Sequence, residues 1–110
     1  MNISIKTLLA LAVFLLPACK RNPSTPYVQK VYEEAVRLQQ AGNLNDAIFH
    51  YQLAATSCHT IEDSLSYWWK AMYGQGKIWK RKNFLEDARR DLEAVLRFAR
   101  KHRLDTAAYM

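Results

Sequence analysis

The chain is expected to be all-α, built as two antiparallel helical hairpins, and three observations point there. Leu44, Ala47, Ile48, Tyr51, Ala54, Ala55 and Cys58 recur at steps of three and one, the period of a single helix face. Ala, Leu, Lys, Arg, Glu and Gln are abundant, while Gly and Pro number three each, too few for a turn-rich β-sandwich or a disordered chain. The pattern of residues 42–55 returns in residues 83–96. A length of 110 residues bounds the chain to at most one compact domain.

The first element is a leader rather than part of the fold. Met1 to Lys6 is weakly positive, and Thr7 to Leu16 is apolar and uncharged. Extended to Ala18 this run remains short of the ~20 residues that span a bilayer as a helix. A positive start, a short apolar core and a small residue at its end predict a signal peptide over residues 1–18. Leu16-Pro17-Ala18-Cys19 then resembles the lipobox of bacterial lipoproteins, which implies cleavage before Cys19 and its diacylation on sulfur. Two or three acyl chains anchor stably where one is marginal. Lys20 to Pro26, with two prolines, suits a polar tether, so residues 19–26 are read as the lipidated Cys and its tether.

The folded part is expected over residues 27–105. Val28, Val31, Tyr32, Ala35 and Leu38 give the first helix its apolar face. Gly42 is placed to end it in a left-handed turn, and Asn43 to cap the second helix, with Asp46 at that helix's positive end. Thr60, Asp63 and Ser64 are all plausible caps for a third helix beginning between Ile61 and Leu65 and running to about Lys82. Gly74 and Gly76 inside it, each unfavourable by roughly 1 kcal/mol against Ala, mark close approach of a neighbouring helix. Asn83 should end that helix and cap the fourth, with Glu86 completing a capping box. The fourth helix is expected to bury Leu85, Ala88, Leu92, Val95, Leu96 and Ala99, and to pair Glu93 with Arg97 on its far face.

The two halves align at an offset of 41: Gly42 with Asn83, Leu44 with Leu85, Ala47 with Ala88, Tyr51 with Leu92, Ala54 with Val95, and earlier Ala35 with Gly76 and Leu38 with Trp79. This spacing of small and large residues resembles the tetratricopeptide repeat family, with repeats at about 27–58 and 68–99. The second copy departs from the family pattern at Asn83, Phe84 and Val95, neither copy has the closing Pro, and the spacing exceeds the usual 34. The resemblance implies an α-solenoid of stacked hairpins, and residues 106–110 then look like the start of a third repeat, as in a truncated array.

Chemistry is sparse. His59 beside Cys58 could bind a metal or activate a thiol, but two ligands make no zinc site, and there is no C-x-x-C or H-x-x-x-H spacing. Cys58 fits the core stripe, and Trp68, Trp69 and Trp79 are read as hairpin packing. Glu33-Glu34 and Glu62-Asp63 are sequence neighbours whose side chains diverge on a helix. No catalytic set, metal site or cofactor is expected.

Charge is more informative. Residues 67–110 carry eleven of the sixteen basic residues against five acidic ones. The plain reading is a solvated helix face; a basic half could also attract an acidic partner. The repeat resemblance implies a concave groove lined by the first helix of each hairpin: Gln29, Tyr32, Val36, Gln39 and Gln40, then Lys70, Tyr73, Lys77, Lys80 and Arg81. Such a wall suits an acidic peptide. The expectation is therefore a lipid-anchored adaptor at the bacterial cell envelope that binds another protein and is not an enzyme. The alternatives are a cytoplasmic basic module that binds nucleic acid, or a non-functional fragment of a longer repeat protein.

Overall fold

How each helix ends fixes how the chain turns. The computed structural model describes residues 24–106; the expected signal segment, Cys19 and residues 107–110 lie outside the described residues. Helix α1 spans Ser24–Gln40 and α2 spans Leu44–Thr56. A single turn α3, Ile61–Asp63, runs on into a π-helical segment, Ser64–Trp68, and then α4, Trp69–Arg81. Helix α5 spans Leu85–His102. The fold is all-α, with four packed helices when α3, the π segment and α4 are taken as one.

Three helices close in the same way. At the end of α1 the Asn43 amide donates to the Leu38 carbonyl at 2.9 Å and the Gly42 amide to Gln39 at 3.0 Å. At the end of α4 Phe84 donates to Trp79 at 2.8 Å and Asn83 to Lys80 at 3.0 Å. At the end of α5 Leu104 donates to Ala99 at 2.9 Å and Arg103 to Arg100 at 3.4 Å. Each is a Schellman closure, which needs one left-handed residue. Gly42, Asn83 and Arg103 supply it, with φ of 87°, 67° and 54°. The equivalence of Gly42 and Asn83 expected from the sequence is thus present in the backbone.

The same closures overturn the expected caps. Asn43 and Phe84 occupy the N-cap positions of α2 and α5, and neither makes a side-chain cap hydrogen bond. Asn83 is committed to the left-handed position one residue earlier, so no capping box with Glu86 forms. Glu86 instead pairs with Arg89, and Glu93 also pairs with Arg89 rather than Arg97. Among the described residues the one side-chain N-cap is Thr60, whose Oγ1 accepts from the Asp63 amide at 3.0 Å and fixes the start of the third helix at Ile61. Helix α1 starts at Ser24, inside the stretch expected to be tether. Pro26 falls in its first turn, where its missing N–H has no intrahelical partner to lose.

The helices stack in chain order: α1 on α2, α2 on α4, α4 on α5. Fully buried Ala35, Ala47 and Ala54 let α1 and α2 approach, with Val28, Val31, Leu38, Ile48 and Tyr51 filling the space around them. Helix α4 has neighbours on both flanks, and its small residues serve both. Ala71, Gly74 and Ile78 are buried with the first hairpin. Gly76 lies beneath the Leu92 side chain of α5. Trp68 stacks on Phe98 with ring centroids 5.0 Å apart. A buried polar contact joins the same pair of helices, where Gln75 Nε2 donates to Asp91 Oδ2 at 2.8 Å and Arg90 Nε donates to Asp91 Oδ1 at 3.3 Å. Leu85 and Leu96, expected in the core, are 58% and 44% exposed. Among the described residues helix α5 packs mainly on α4 and the π segment leading into it, and Ala88, Asp91, Val95 and Ala99 are the ones buried along it.

The two glycines of α4 make opposite predictions about packing slack. A Cβ at Gly74 would stand 2.5, 2.8 and 2.9 Å from three ring atoms of Tyr51, a rigid and buried neighbour. Gly74→Ala should lower stability by about 1–2 kcal/mol in urea unfolding, because overpacking outweighs the gain in helix propensity. A Cβ at Gly76 would meet Leu92 Cδ2 at 2.8 Å, the flexible end of a half-buried side chain. Gly76→Ala should stay within about 1 kcal/mol of the parent. The Gly74→Ala penalty should largely vanish in a Tyr51→Leu background.

Candidate binding cleft

Helix α1 meets the third helix at the latter's beginning, through α3 and the π segment. There the Tyr32 and Tyr67 rings lie 5.6 Å apart. Beyond that contact a cleft of about 430 Å³ opens, lined by Tyr32, Val36, Gln39 and Gln40 from α1, Tyr51 from α2, and Gly74 and Lys77 from α4. The α1 residues share one stripe because they are four, three and one apart. Gly74 can face Tyr51 because it carries no side chain, and the Tyr51 ring comes up between the two walls as the floor.

Hydrogen bonds and rings hold this floor. The Tyr51 hydroxyl donates to Gln39 Oε1, tying α2 to α1 across the cleft. The Tyr32 ring lies 5.9 Å from that of Tyr51, so Tyr67, Tyr32 and Tyr51 form a continuous aromatic run. Burial raises the Tyr67 phenol above its usual value, and the carboxylates of Glu33 and Asp63 push it the same way. Lys77 Nζ sits 4.6 Å from the centre of the Tyr73 ring, a cation–π contact that steadies the one charged group lining the cleft.

Five of the ten residues expected in a groove line this cleft: Tyr32, Val36, Gln39, Gln40 and Lys77. The other five do not. Gln29 is exposed and donates to Glu33 Oε2 at 3.0 Å. Lys70 Nζ lies 5.7 Å from the Trp69 ring. Tyr73 stacks under Lys77, and Lys80 and Arg81 are exposed in the last turn of α4, past the cleft's end at Lys77. The cleft is therefore more aromatic and amide-lined, and less basic, than the sequence implies. Tyr51 and Gly74 are the lining residues that sequence reasoning missed. A glycine in mid-helix with no small counterpart at the 41-residue offset, where Glu33 stands, was the available signal.

The Cys58–His59 pair behaves as a packing element. The Cys58 thiol lies 3.4 Å from the Ala54 carbonyl oxygen and 3.7 Å from that of Asp63, while His59 is exposed. Burial pushes the thiol from its ordinary 9.0 up to about 11, with the Asp63 carboxylate adding to the shift. A thiol activated by an imidazolium would move the other way. Among the described residues no group of three or more His, Cys, Asp or Glu could hold a metal ion, and no helix is long and apolar enough to cross a membrane.

In a Cys19→Ala chain, where Cys58 is the sole thiol, iodoacetamide at pH 8 should react at least tenfold more slowly with folded than with urea-unfolded protein. The pH dependence of the folded-state alkylation rate should place the thiolate midpoint near pH 11. The sign of the linkage follows: stability from this group is constant below pH 9 and falls between pH 9 and 11, where only the unfolded thiol ionises.

A scan against protein-family models, a search of curated proteins and a search of solved structures each find no match to this chain.

Proposed function

We propose that the protein is a helical-repeat adaptor that grips an extended acidic peptide of a partner protein in the cleft between α1 and α4. The supporting observation is the cleft itself: an aromatic floor of Tyr32 and Tyr51, amides at Gln39 and Gln40, and a positioned cation at Lys77. Rings supply contact area at little entropic loss, and amides can pair with a peptide backbone. A lysine at the rim orients an acidic segment and speeds its encounter. The resemblance of the two hairpins to tetratricopeptide repeats fits this reading, and so do the matching turns at Gly42 and Asn83. We place the adaptor at the bacterial envelope, held by acyl chains on Cys19, on the strength of the Leu16-Pro17-Ala18-Cys19 motif.

Binding of a fluorescent Asp/Glu-rich peptide, followed by anisotropy, tests the cleft. Lys77→Glu should weaken it by about 1–2 kcal/mol, roughly five- to thirtyfold. Lys80→Glu, past the cleft, should weaken it less than threefold. Equal affinity for the parent and Lys77→Glu would exclude this cleft as the peptide site. The anchor has its own test: labelled palmitate should be incorporated by the parent and lost in Cys19→Ala, and incorporation that survives the substitution would sink that assignment.

A further inference from the structure

The turn between α4 and α5 shares its backbone with the turn between α1 and α2, yet its side chains differ in kind. After the left-handed residue the first turn presents Asn43 and a half-buried Leu44. The second presents Phe84 and Leu85, 50% and 58% exposed. One side of the Phe84 ring meets Trp79 edge-on at 5.6 Å, the apolar contact that commonly accompanies a Schellman closure. Phe84 is still half exposed beside that contact. Its exposed half and most of Leu85 face water, and Phe84 stands at an N-cap position where it can give the helix no hydrogen bond.

The charges beside this turn are also unlike those of the first. Helix α4 ends in Lys80 and Arg81 and is followed at its C-cap by Lys82, and none of the ion pairs among the described residues involves them. The nearest acids, Glu86 and Asp87 in the first turn of α5, are each paired with an arginine of their own helix, Arg89 and Arg90. At the first turn the corresponding residues, Gln39, Gln40 and Ala41, carry no charge, and the last turn of α1 holds Arg37 alone, which pairs with Glu34. A favourable helix dipole explains a preference for cations in a last turn. It does not explain three consecutive ones beside two exposed apolar side chains.

We propose that the α4–α5 turn is a docking tip for an anionic lipid surface. Phe84 and Leu85 enter the boundary between headgroups and acyl chains, and Lys80, Arg81 and Lys82 lie against lipid phosphates. Apolar side chains with a cationic collar suit such an interface, because long basic side chains cover apolar surface while their heads stay with the phosphates. A fluid surface rather than a folded acidic partner fits the shape. The apolar pair stands at the end of a helical hairpin, which can enter lipid directly but would need a matching groove on a protein. The tip lies at the opposite end of the hairpins from Ser24, so this contact is separate from any anchor at Cys19 and does not rest on it.

A site-specific probe tests the tip in the full chain. An environment-sensitive fluorophore (NBD) is attached at Leu85→Cys, and as a control at Asn45→Cys on the first turn, both in a Cys19→Ala, Cys58→Ala background. With phosphatidylglycerol-containing vesicles, emission at position 85 should shift to the blue and rise at least twofold, and headgroup-proximal nitroxide lipids should quench it. Position 45 should stay at its aqueous emission. Phosphatidylcholine vesicles should leave both unchanged, and Lys80→Glu, Arg81→Glu, Lys82→Glu together should abolish the shift at 85. A probe at Phe84→Cys repeats the measurement where labelling at 85 disturbs the helical circular dichroism. The proposal is overturned by an aqueous emission at 84 and 85 on anionic vesicles, by equal shifts at 45 and 85, or by a shift that survives charge reversal. Soluble polyglutamate that reproduces the shift would overturn it in favour of an acidic protein.

Discussion

The Tyr51 ring resting on Gly74 is the contact through which the two hairpins become one structure. Within each hairpin, alanines and a shared turn geometry bring the helices together locally. Between hairpins the chain relies on α2 against α4, and Gly74 is where α4 yields space to a ring it could not otherwise accept. The same ring reaches Gln39 through its hydroxyl, so the position of α1 is referred to the same atom group. One side chain thereby sets the height of the second hairpin on the first, closes the core beneath it and forms the floor of the cleft above it. A change in this contact alters stacking and site together.

The cleft follows from how α1 and the third helix diverge. They touch where α3 and the π segment begin the third helix, and they separate toward Lys77. The π segment carries Tyr67 onto Tyr32 and sends the next residue, Trp68, to Phe98 of α5. Trp69 is then buried, with its indole N–H donated to the Leu65 carbonyl at 2.7 Å. Adjacent bulky residues are thus distributed over different faces within one turn. The closed end of the cleft and the packing of α5 both begin there.

Much of this fold was legible in the residues. The α2 stripe, the left-handed positions at Gly42 and Asn83 and the close approach implied by the α4 glycines all come from local spacing and conformational preference. What escaped was decided between elements. Asn43 reads as a cap and does stand at the N-cap of α2, but its amide is used in the Schellman closure of α1 and its side chain makes no cap hydrogen bond. Leu85 and Leu96 read as core because period alone cannot say how many helices cover a face. Gln75 and Asp91, which belong to neither apolar stripe, are buried where they meet each other. The site was half legible for the same reason. Tyr32, Val36, Gln39, Gln40 and Lys77 are among the positions that the repeat resemblance implies, whereas Tyr51 and Gly74 join the lining only because of their mutual contact. Lys80 and Arg81 fall outside because α1 and α4 enclose the cleft only as far as Lys77.

The three helix closures differ in what occupies the left-handed position. Glycine adopts it without strain, asparagine with little, and arginine only against the steric preference of a bulky L-residue. The supporting hydrogen bond follows the same order, at 3.0 Å for Gly42 and Asn83 but 3.4 Å for Arg103. Of the three closures, the one at Arg103 is therefore the first to open on warming, and its loss would unwind the end of α5 while the two internal turns still hold the hairpins closed.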